Sequence, residues 1–547
     1  MVVRGESVKL EWGVWIALRD GVRLHATLYL PRHLEGPAPA IFTLTPYIAQ
    51  RYHEEAMYFA AHGYPFLCVD VRGRGNSEGA FEPNLNEACD GHDVVEWLAA
   101  QPYCDGHVAM WGGSYGGYAQ WATAKEHPPH LSTIVPFASP CIGVDFPMRN
   151  NIASPYLMQW LTLVYGRASQ EAIFWGNAQF WRSRFAEFYE SGAPFRTLDR
   201  ALGCPSPIFQ RWLSHPRQDE HWDAYNPSPA QYARMRLPVL TITGIYDGDQ
   251  PGALTHYRRH LAHAPDAIHY LVIGPWDHAG TRMPRQEFCG IKVGAASLID
   301  LRRLHLEWYG WMMRSGPQPS FLKGRVAYYV MVADEWRYAE NLDSICTRHA
   351  SWALSARATC ESGVDQYAYD PRDRSLAALE STVDPEDLTD QRLVLARSGR
   401  HLIYHSDPFE ADVEVTGFFR LEAWIAIDQP DTDFRAAVYE IDTSGNSVLL
   451  SADSMRARHR ESLREETLIA TTEPLHYLFE RFTFVSRLIR KGCRLRLVFG
   501  PHDSIHAQRN YNTGGVISDE SVEQARPVTV RLFHGPRYPS ALHVPFA

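Results

Sequence analysis

Several features are scarce or missing in this 547-residue chain, and each absence removes a class of protein. There is no excess of positive charge, since 53 Lys and Arg residues stand against 63 Asp and Glu residues and give a net charge of −10. Surfaces that bind nucleic acid are usually basic, so nucleic acid is not expected as a partner. No internal repeat or low-complexity tract is visible, which argues against solenoids and propellers.

Long apolar runs are also missing. No window reaches about 18 uncharged apolar residues, the length that a membrane-spanning helix needs. Residues 1–24 are interrupted by charges and lack the apolar stretch of a signal peptide. We therefore expect a cytoplasmic protein without a membrane partner.

Cysteine is sparse, with nine residues and no C-x-x-C spacing. An odd number without paired spacings is typical neither of a disulfide framework nor of a zinc site. We expect free thiols and no structural metal.

Four segments with different patterns divide the chain. Short apolar runs alternate with helical patterns in residues 1–145 and 238–346, which predicts the two parts of an α/β domain with a mostly parallel sheet. Residues 146–237 carry aromatic-rich helical stretches instead, which predicts an inserted helical cap. Many short alternating runs separated by turn residues fill 347–547 and predict a β-sandwich of the jelly-roll type.

The strongest local motif is a G-x-S-x-G match centred on Ser114. It follows the apolar run 108–111 and precedes the helical pattern 118–124, the context in which a tight turn presents a nucleophilic serine. The helix N-terminus behind the serine would stabilise developing negative charge. A second match, centred on Ser77, has neither a strand before it nor a helix after it, so Ser77 is predicted to be a loop residue.

A serine nucleophile needs a base and a carboxylate that orients the base. The two apolar runs that follow the helical segment end close to Asp247 and His278, which gives the chain order Ser114, Asp247, His278 of α/β-hydrolases. Asp249 is a competing acid, and both Asp249 and Asp277 are candidates for supporting acids. Four further histidines fall in a helix, its following loop or a strand and are expected to be structural or solvent-facing: His256, His260, His263 and His269.

With these motifs the sequence resembles the cocaine esterase and X-Pro dipeptidyl-peptidase-like serine hydrolases. The similarity rests on residues 70–79, 112–117, 246–248 and 274–278, and in the last third on 412–417, 431–433 and 510–514. The resemblance covers essentially the whole chain. It implies an α/β-hydrolase domain with a helical cap insertion, followed by a jelly roll, and a reaction that needs no metal or organic cofactor.

The resemblance also implies which groups bind the oxyanion. In the family these are a tyrosine hydroxyl after an early strand and the backbone N–H that follows the nucleophile. They correspond here to Tyr47 and Tyr115. A phenol and an amide directed at the developing oxyanion can each stabilise it by about 2.7–4 kcal/mol.

Relatives of this kind cleave esters, β-lactam side-chain amides, α-amino acid esters or X-Pro peptides. We expect a serine carboxylesterase that forms an acyl-enzyme and accepts a bulky or aromatic acyl group. An amidase, an aminopeptidase or an acyltransferase with the same triad is the alternative, with a small-molecule ester or amide as the substrate in either case. A third hypothesis is a non-catalytic binding module, and the presence of all three triad residues argues against it.

Residues for substrate binding are harder to choose. Asp249 is a candidate anchor for a substrate amine, but Gln250 stands where the amino-ester enzymes of the family carry a second carboxylate. Near 148–149, where they carry a third, this chain has no acid, although Asp145 is close. Trp160 and Trp175, in the aromatic cap stretch, are candidates for lining an apolar acyl pocket. The expected oligomeric state is a homodimer.

Overall fold

The computed structural model describes residues 7–354, 363–397 and 399–547. Up to residue 340 the described chain forms fourteen strands: β1 (Val8–Ala17), β2 (Arg23–Pro31), β3 (Ala38–Thr45), β4 (Phe66–Asp70), β5 (Cys104–Gly113), β6 (Leu131–Phe137), β7 (Met148–Arg149), β8 (Ile152–Ala153), β9 (Val239–Tyr246), β10 (His269–Asp277), β11 (Glu287–Phe288), β12 (Ile291–Lys292), β13 (Val326–Val330) and β14 (Glu335–Ala339).

Ten of these strands form one sheet in the order β1-β2-β4-β3-β5-β6-β9-β10-β13-β14. The seven strands from β4 to β13 in this order run parallel, while β1, β2 and β14 pair antiparallel at the two ends. Every residue of β3 and β4 is buried, as expected where helices cover both faces of a parallel sheet. The apolar run 108–111 lies within β5, and the two apolar runs that follow the helical segment form β9 and β10.

Fourteen α-helices are present in the described ranges, beside five short 3₁₀ helices: α1 (His53–Ala61), α2 (Glu87–Ala99), α3 (Tyr115–Ala124), α4 (Tyr156–Leu163), α5 (Glu171–Gly176), α6 (Ala178–Ser191), α7 (Leu198–Ala201), α8 (Pro207–Leu213), α9 (Glu220–Asp223), α10 (Pro229–Arg234), α11 (Gln250–His263), α12 (Leu301–Arg314), α13 (Ala377–Glu380) and α14 (Arg392–Ala396). Side chains of α2 and α3 share a core cluster with α4 and α8, and those of α1 and α12 belong to a second cluster on the opposite sheet face. Helices α4 to α10 all lie between β8 and β9 in the chain. None of the helices described is long and apolar enough to cross a membrane.

The last third forms twelve strands in the ranges described: β15 (Arg348–Ala353), β16 (Gly363–Tyr369), β17 (Leu402–His405), β18 (Val413–Gly417), β19 (Arg420–Ile427), β20 (Asp433–Ile441), β21 (Ser447–Arg456), β22 (Leu475–Phe479), β23 (Val485–Ile489), β24 (Arg494–Pro501), β25 (Val528–His534) and β26 (Ala541–Phe546). They pair antiparallel in an eight-stranded and a four-stranded sheet that share one apolar core. This is the predicted β-sandwich, and its jelly-roll topology stays a prediction.

The sandwich is tied to the α/β domain next to the carboxyl ends of the parallel strands. The Gln250 side chain, at the start of α11, donates to the Phe484 carbonyl at 3.3 Å and accepts from the Phe484 N–H at 2.6 Å. Asn150 donates to Asp453 at 2.9 Å. The sandwich therefore borders the edge of the sheet at which the candidate catalytic residues lie.

Candidate active site

Ser114 lies on a sharp turn between β5 and α3. Its backbone has φ 59° and ψ −124°, a conformation that non-glycine residues adopt only under constraint. The carbonyls of Phe137 and Ala138 hold the turn by accepting hydrogen bonds from the Ser114 N–H, each at 3.0 Å. A Cβ atom on Gly117 would lie 2.8 Å from the Cβ of Ser139, so α3 can approach the end of β6 only with glycine there. The turn leaves the Ser114 side chain partly exposed.

Ser77, the second motif match, has a different environment. It is completely buried, and its hydroxyl donates to the Asp70 carbonyl at 2.7 Å and accepts from the His25 N–H at 2.8 Å. These bonds use the hydroxyl to join the loop to β2 and β4. Ser77 is therefore a structural loop residue.

Asp247 and His278 form a hydrogen-bonded pair beyond the ends of β9 and β10. The distance between His278 Nδ1 and Asp247 Oδ1 is 2.8 Å. The Asp247 carboxylate also accepts from the Thr243 hydroxyl at 2.9 Å and from the Asp249 N–H at 3.1 Å. Burial lowers the pKa of His278, but the hydrogen bond to Asp247 and its charge outweigh burial, so the pKa is raised overall. With Nδ1 held by the carboxylate, Nε2 is the ring nitrogen left for proton transfer.

The Tyr47 hydroxyl lies beside the Ser114 side chain. It accepts a hydrogen bond from Trp160 Nε1 at 3.0 Å. Burial raises the pKa of Tyr47, and the hydrogen bonds with Trp160 and Ser114 partly oppose that effect. The phenol therefore stays protonated at neutral pH and can donate a hydrogen bond.

Tyr115 contributes its backbone and its side chain to different interactions. Its N–H is the first of α3, and nothing in the described part of the chain accepts a hydrogen bond from it, as is usual at a helix start. Its hydroxyl is buried, donating to Glu87 and accepting from the Asn84 N–H at 2.9 Å. The buried hydroxyl anchors the residue and leaves the N–H directed out of the helix end.

The two tryptophans chosen as pocket residues occupy different environments. Trp160 is 5% exposed, and its ring stacks on Tyr115 with centroids 6.1 Å apart. Trp175 is 57% exposed, and its ring lies 5.9 Å from the guanidinium of Arg51, which also faces Tyr47 at 5.5 Å. Trp160 thus lies against the groups around Ser114, whereas Trp175 lies further out on the surface.

Asp249 lies beside the histidine of the pair. Its Oδ2 atom is 3.7 Å from His278 Nδ1. Asp145 accepts hydrogen bonds from the N–H groups of Cys141 and Gly252, and its charge acts on Asp249. Removal from water raises the pKa of Asp145 to about 8 and that of Asp249 well above its usual range. Burial therefore favours the neutral form of both carboxyl groups.

Gln250 is not available to a substrate. Its amide is 1% exposed and also donates to the carbonyls of Gly244 and Ile245, at 3.1 and 3.0 Å. The side chain is used in joining α11 to the sandwich. The carboxylate that the amino-ester enzymes carry at this position is thus replaced by a structural amide.

Asp247, Asp249 and His278 are also spaced so that their ligand atoms lie within 4.8 Å of one another. A cation there would have to displace the proton between His278 Nδ1 and Asp247. It would also compete with the Thr243 hydroxyl for the Asp247 carboxylate. These hydrogen bonds fit an acid–histidine pair better than a metal site.

Sequence reasoning missed the role of Arg74 in positioning the site. This completely buried side chain donates to the Pro46 carbonyl at 2.8 Å and to the Val164 carbonyl at 2.7 Å. It connects the segment that bears Tyr47 to the end of α4. The available signal was the second arginine of the Arg-Gly-Arg-Gly run at 72–75, within a segment singled out by resemblance alone.

Comparison with known proteins identifies the family of the chain. Residues 20–280 match the X-Pro dipeptidyl-peptidase (S15) family, and residues 322–543 match the C-terminal non-catalytic domain of X-Pro dipeptidyl-peptidases. The chain belongs to the S15 family of serine hydrolases. A cocaine esterase of Rhodococcus sp. (strain MB1 Bresler) is 26% identical over 579 aligned residues, which cover 97% of each chain. This S15 protein is therefore a serine hydrolase, as predicted.

Solved structures of two relatives share the fold of this S15 chain. An aminopeptidase from a marine sediment archaeon (Thaumarchaeota archaeon) has a TM-score of 0.84 at 21% identity and covers 99% of this chain and 97% of its own. An α-amino acid ester hydrolase has a TM-score of 0.84 at 19% identity with the same coverage. The predicted α/β-hydrolase domain followed by a β-sandwich is thereby confirmed.

Proposed function

We propose that the protein hydrolyses carboxylic esters through an acyl-enzyme on Ser114. The observation that carries the proposal is the 2.8 Å contact between His278 Nδ1 and Asp247, at the sheet edge where Ser114 sits on its constrained turn. His278 takes the Ser114 proton as Oγ attacks the carbonyl carbon, and then gives it to the leaving alcohol. Water, deprotonated by His278, next attacks the acyl-enzyme, and His278 returns the proton to Ser114 Oγ as the bond to the acyl carbon breaks and the acid is released.

Two donors stabilise the tetrahedral oxyanion in this mechanism. They are the Tyr47 hydroxyl, which accepts from Trp160 and keeps its own proton to donate, and the Tyr115 N–H at the start of α3. Such donors act mainly on the transition state because the carbonyl oxygen gains its full charge only there. Asp247 stabilises the imidazolium of His278 and holds its tautomer.

The acyl group that the site favours is bulky and apolar. Trp160 is surrounded by aromatic rings of the cap and the α/β domain, with centroids 5.2 Å away at Phe146, 6.1 Å at Tyr115 and 6.3 Å at Trp212. Apolar walls with few polar groups are typical of pockets that bind aromatic or branched ligands. This supports an aromatic acyl group over a short acetyl group.

A second candidate is the hydrolysis of α-amino acid esters or amides. The observation that favours it is the Asp249 carboxyl group beside His278, where an ammonium group of a substrate could be received. Burial favours the neutral form of Asp145 and Asp249, and Gln250 has a structural role, so this is a weaker ammonium site than a cluster of ionised carboxylates. Ester hydrolysis without an amine requirement is therefore the first candidate.

A substrate panel distinguishes the two. Purified protein is assayed with 4-nitrophenyl benzoate, butyrate and acetate, and with 4-nitroanilides of phenylalanine and Gly-Pro. We expect turnover of the esters, fastest for the benzoate, and little turnover of the anilides. Anilide turnover that exceeds ester turnover, and that is lost in Asp249→Asn, would support the second candidate instead.

A further inference from the structure

Arg282 is brought next to the reaction centre by the turn that follows His278. The Arg282 N–H donates to the Ala279 carbonyl at 3.1 Å, and the buried Thr281 hydroxyl donates to the His278 carbonyl at 2.7 Å. The turn is thus fixed to the histidine itself. The Arg282 guanidinium lies 5.7 Å from the ring centroid of Phe137, whose carbonyl accepts from the Ser114 N–H.

The guanidinium of Arg282 has no acceptor within the described part of the chain, in either a hydrogen bond or an ion pair. Its neighbours differ, since Arg285 is paired with Asp277 and Arg51 with Glu171. Arg282 is nevertheless only partly exposed. A guanidinium carries five N–H donors in a planar fork, and leaving such donors unpaired away from bulk water is costly. Its arrangement suits an acceptor that comes from outside the chain.

The charge of Arg282 acts on the groups that surround the nucleophile. Burial raises the pKa values of Tyr47, Tyr156 and Asp249, and the Asp247 hydrogen bond and charge raise that of His278, while the Arg282 charge is among the influences that oppose each increase. Two carboxyl groups of the site, Asp247 and Asp249, do not cancel this charge fully. Burial favours the neutral form of Asp249, and Asp247 is hydrogen-bonded to His278. The positive charge of the Arg282 guanidinium therefore remains beside the reaction centre.

We propose that Arg282 binds a carboxylate carried by the substrate, so that the preferred esters are those with a carboxylate elsewhere in the molecule. A carboxylate matches the planar fork of a guanidinium with two parallel hydrogen bonds. The inference rests on the proposed ester hydrolysis by Ser114. It adds to it the chemical class of the substrate.

The carboxylate could belong to the acyl part or to the alcohol part of the ester, and matched pairs of substrates separate the two. For the acyl part the pair is 4-nitrophenyl hydrogen glutarate and 4-nitrophenyl valerate. For the alcohol part it is 4-acetoxybenzoate and its methyl ester. The measured quantity is the ratio of kcat/KM for the anionic ester to kcat/KM for the neutral ester in each pair.

In Arg282→Gln we expect this ratio to fall about ten- to a hundredfold in one of the pairs, the loss typical of a hydrogen-bonded charge pair. Arg282→Lys, which keeps the charge but not the fork, should lose less. Arg285→Gln is the matched control, because Arg285 lies three residues after Arg282 and carries the same charge, but its guanidinium is already paired with Asp277. This variant should leave both ratios unchanged. Added salt should raise KM for the preferred anionic ester and leave KM for its neutral partner unchanged.

Equal ratios in the wild type and Arg282→Gln would overturn the inference, and so would a KM of the anionic esters that does not respond to salt. Neutral-ester turnover together with covalent labelling of Ser114 by a fluorophosphonate would in that case leave the proposed function standing. Failure of every ester, with no labelling, would overturn both. The salt measurement uses only the wild type, so the inference can be tested even if Arg282→Gln does not fold.

Discussion

The Trp160 indole N–H donates a hydrogen bond to the Tyr47 hydroxyl across 3.0 Å, joining a helix of the cap to the segment after β3. A phenol hydroxyl has one proton to donate, and the indole can act only as a donor. The contact therefore fixes the direction of hydrogen bonding, because the Tyr47 proton must point to another acceptor. The oxyanion next to Ser114 is that acceptor in the mechanism proposed here.

Removing the Tyr47 hydroxyl tests its place in the oxyanion hole. Tyr47→Phe should lower kcat by about 10²–10³, with little change in KM, because the lost hydrogen bond strengthens in the transition state. Steady-state kinetics with 4-nitrophenyl butyrate provide the measurement. A large rise in KM at constant kcat would instead make Tyr47 a binding residue.

Trp160 is expected to act through Tyr47. Trp160→Phe keeps an aromatic ring but removes the N–H together with the five-membered ring of the indole, and loss of the hydrogen bond should lower kcat about three- to tenfold, the value of one neutral hydrogen bond. In a Tyr47→Phe background the same change should have almost no effect on kcat, since the partner is gone. Equal losses in both backgrounds would mean that Trp160 matters through packing alone.

Much of this site could be predicted from the sequence because its members lie at the ends of recognisable strands. The runs of β5, β9 and β10 placed Ser114, Asp247 and His278 at one edge of a parallel sheet. The Trp160–Tyr47 bond could not be predicted, because it joins residues 113 positions apart and depends on how α4 packs. The helical spacing in the sequence predicts that Trp160 is buried or lines a pocket, but it does not predict which group accepts a hydrogen bond from its N–H.

The surroundings of the Asp249 side chain could not be predicted from the sequence either. The number of carboxylates near 247–250 can be read directly from the sequence, but the raised pKa values of Asp249 and Asp145 follow from their burial in the folded chain. Gln250 likewise reveals its structural use only once the sandwich is in place. Strand and helix patterns in the sequence therefore do not predict the roles of side chains that depend on long-range packing.

The His278–Asp247 pair predicts the pH dependence of catalysis. The general base acts as neutral imidazole, so kcat/KM should rise with pH through a pKa above the ordinary histidine value of 6.5. Asp247→Asn removes the group that raises this pKa, so the inflection should move to lower pH and kcat should fall about 10⁴-fold. A pH–rate profile of both proteins measures this, and an unmoved inflection would contradict the pairing.

A buried histidine cluster behind α3 predicts how stability depends on pH. His256 lies 2.7 Å from the Tyr232 hydroxyl, and His260 lies 3.1 Å from His269. Burial lowers the pKa of His256 to about 3 and also lowers the pKa values of the other two. The unfolded chain therefore binds more protons below pH 6.5, so this contribution to stability is complete above that pH and is lost as the pH falls.

Replacing one member of the cluster isolates its share. Between pH 6 and 5, His256→Gln should make the free energy of unfolding fall less steeply than in the wild type, by up to about 1.4 kcal/mol per pH unit. His33→Gln, at an exposed position, is the matched control and should keep the wild-type slope. Urea titrations at several pH values give these slopes, and a wild-type slope in His256→Gln would exclude a native histidine kept neutral by burial.

The central claim is that Ser114 is the nucleophile, and the most direct test is reaction with a fluorophosphonate followed by peptide mapping. We predict one labelled serine, in the peptide that contains Ser114, and loss of ester turnover in step with labelling. Ser114→Ala should take up no label and should lose about 10⁶-fold in kcat while keeping the wild-type melting temperature. Label on another serine such as Ser77, or undiminished turnover in Ser114→Ala, would contradict the account.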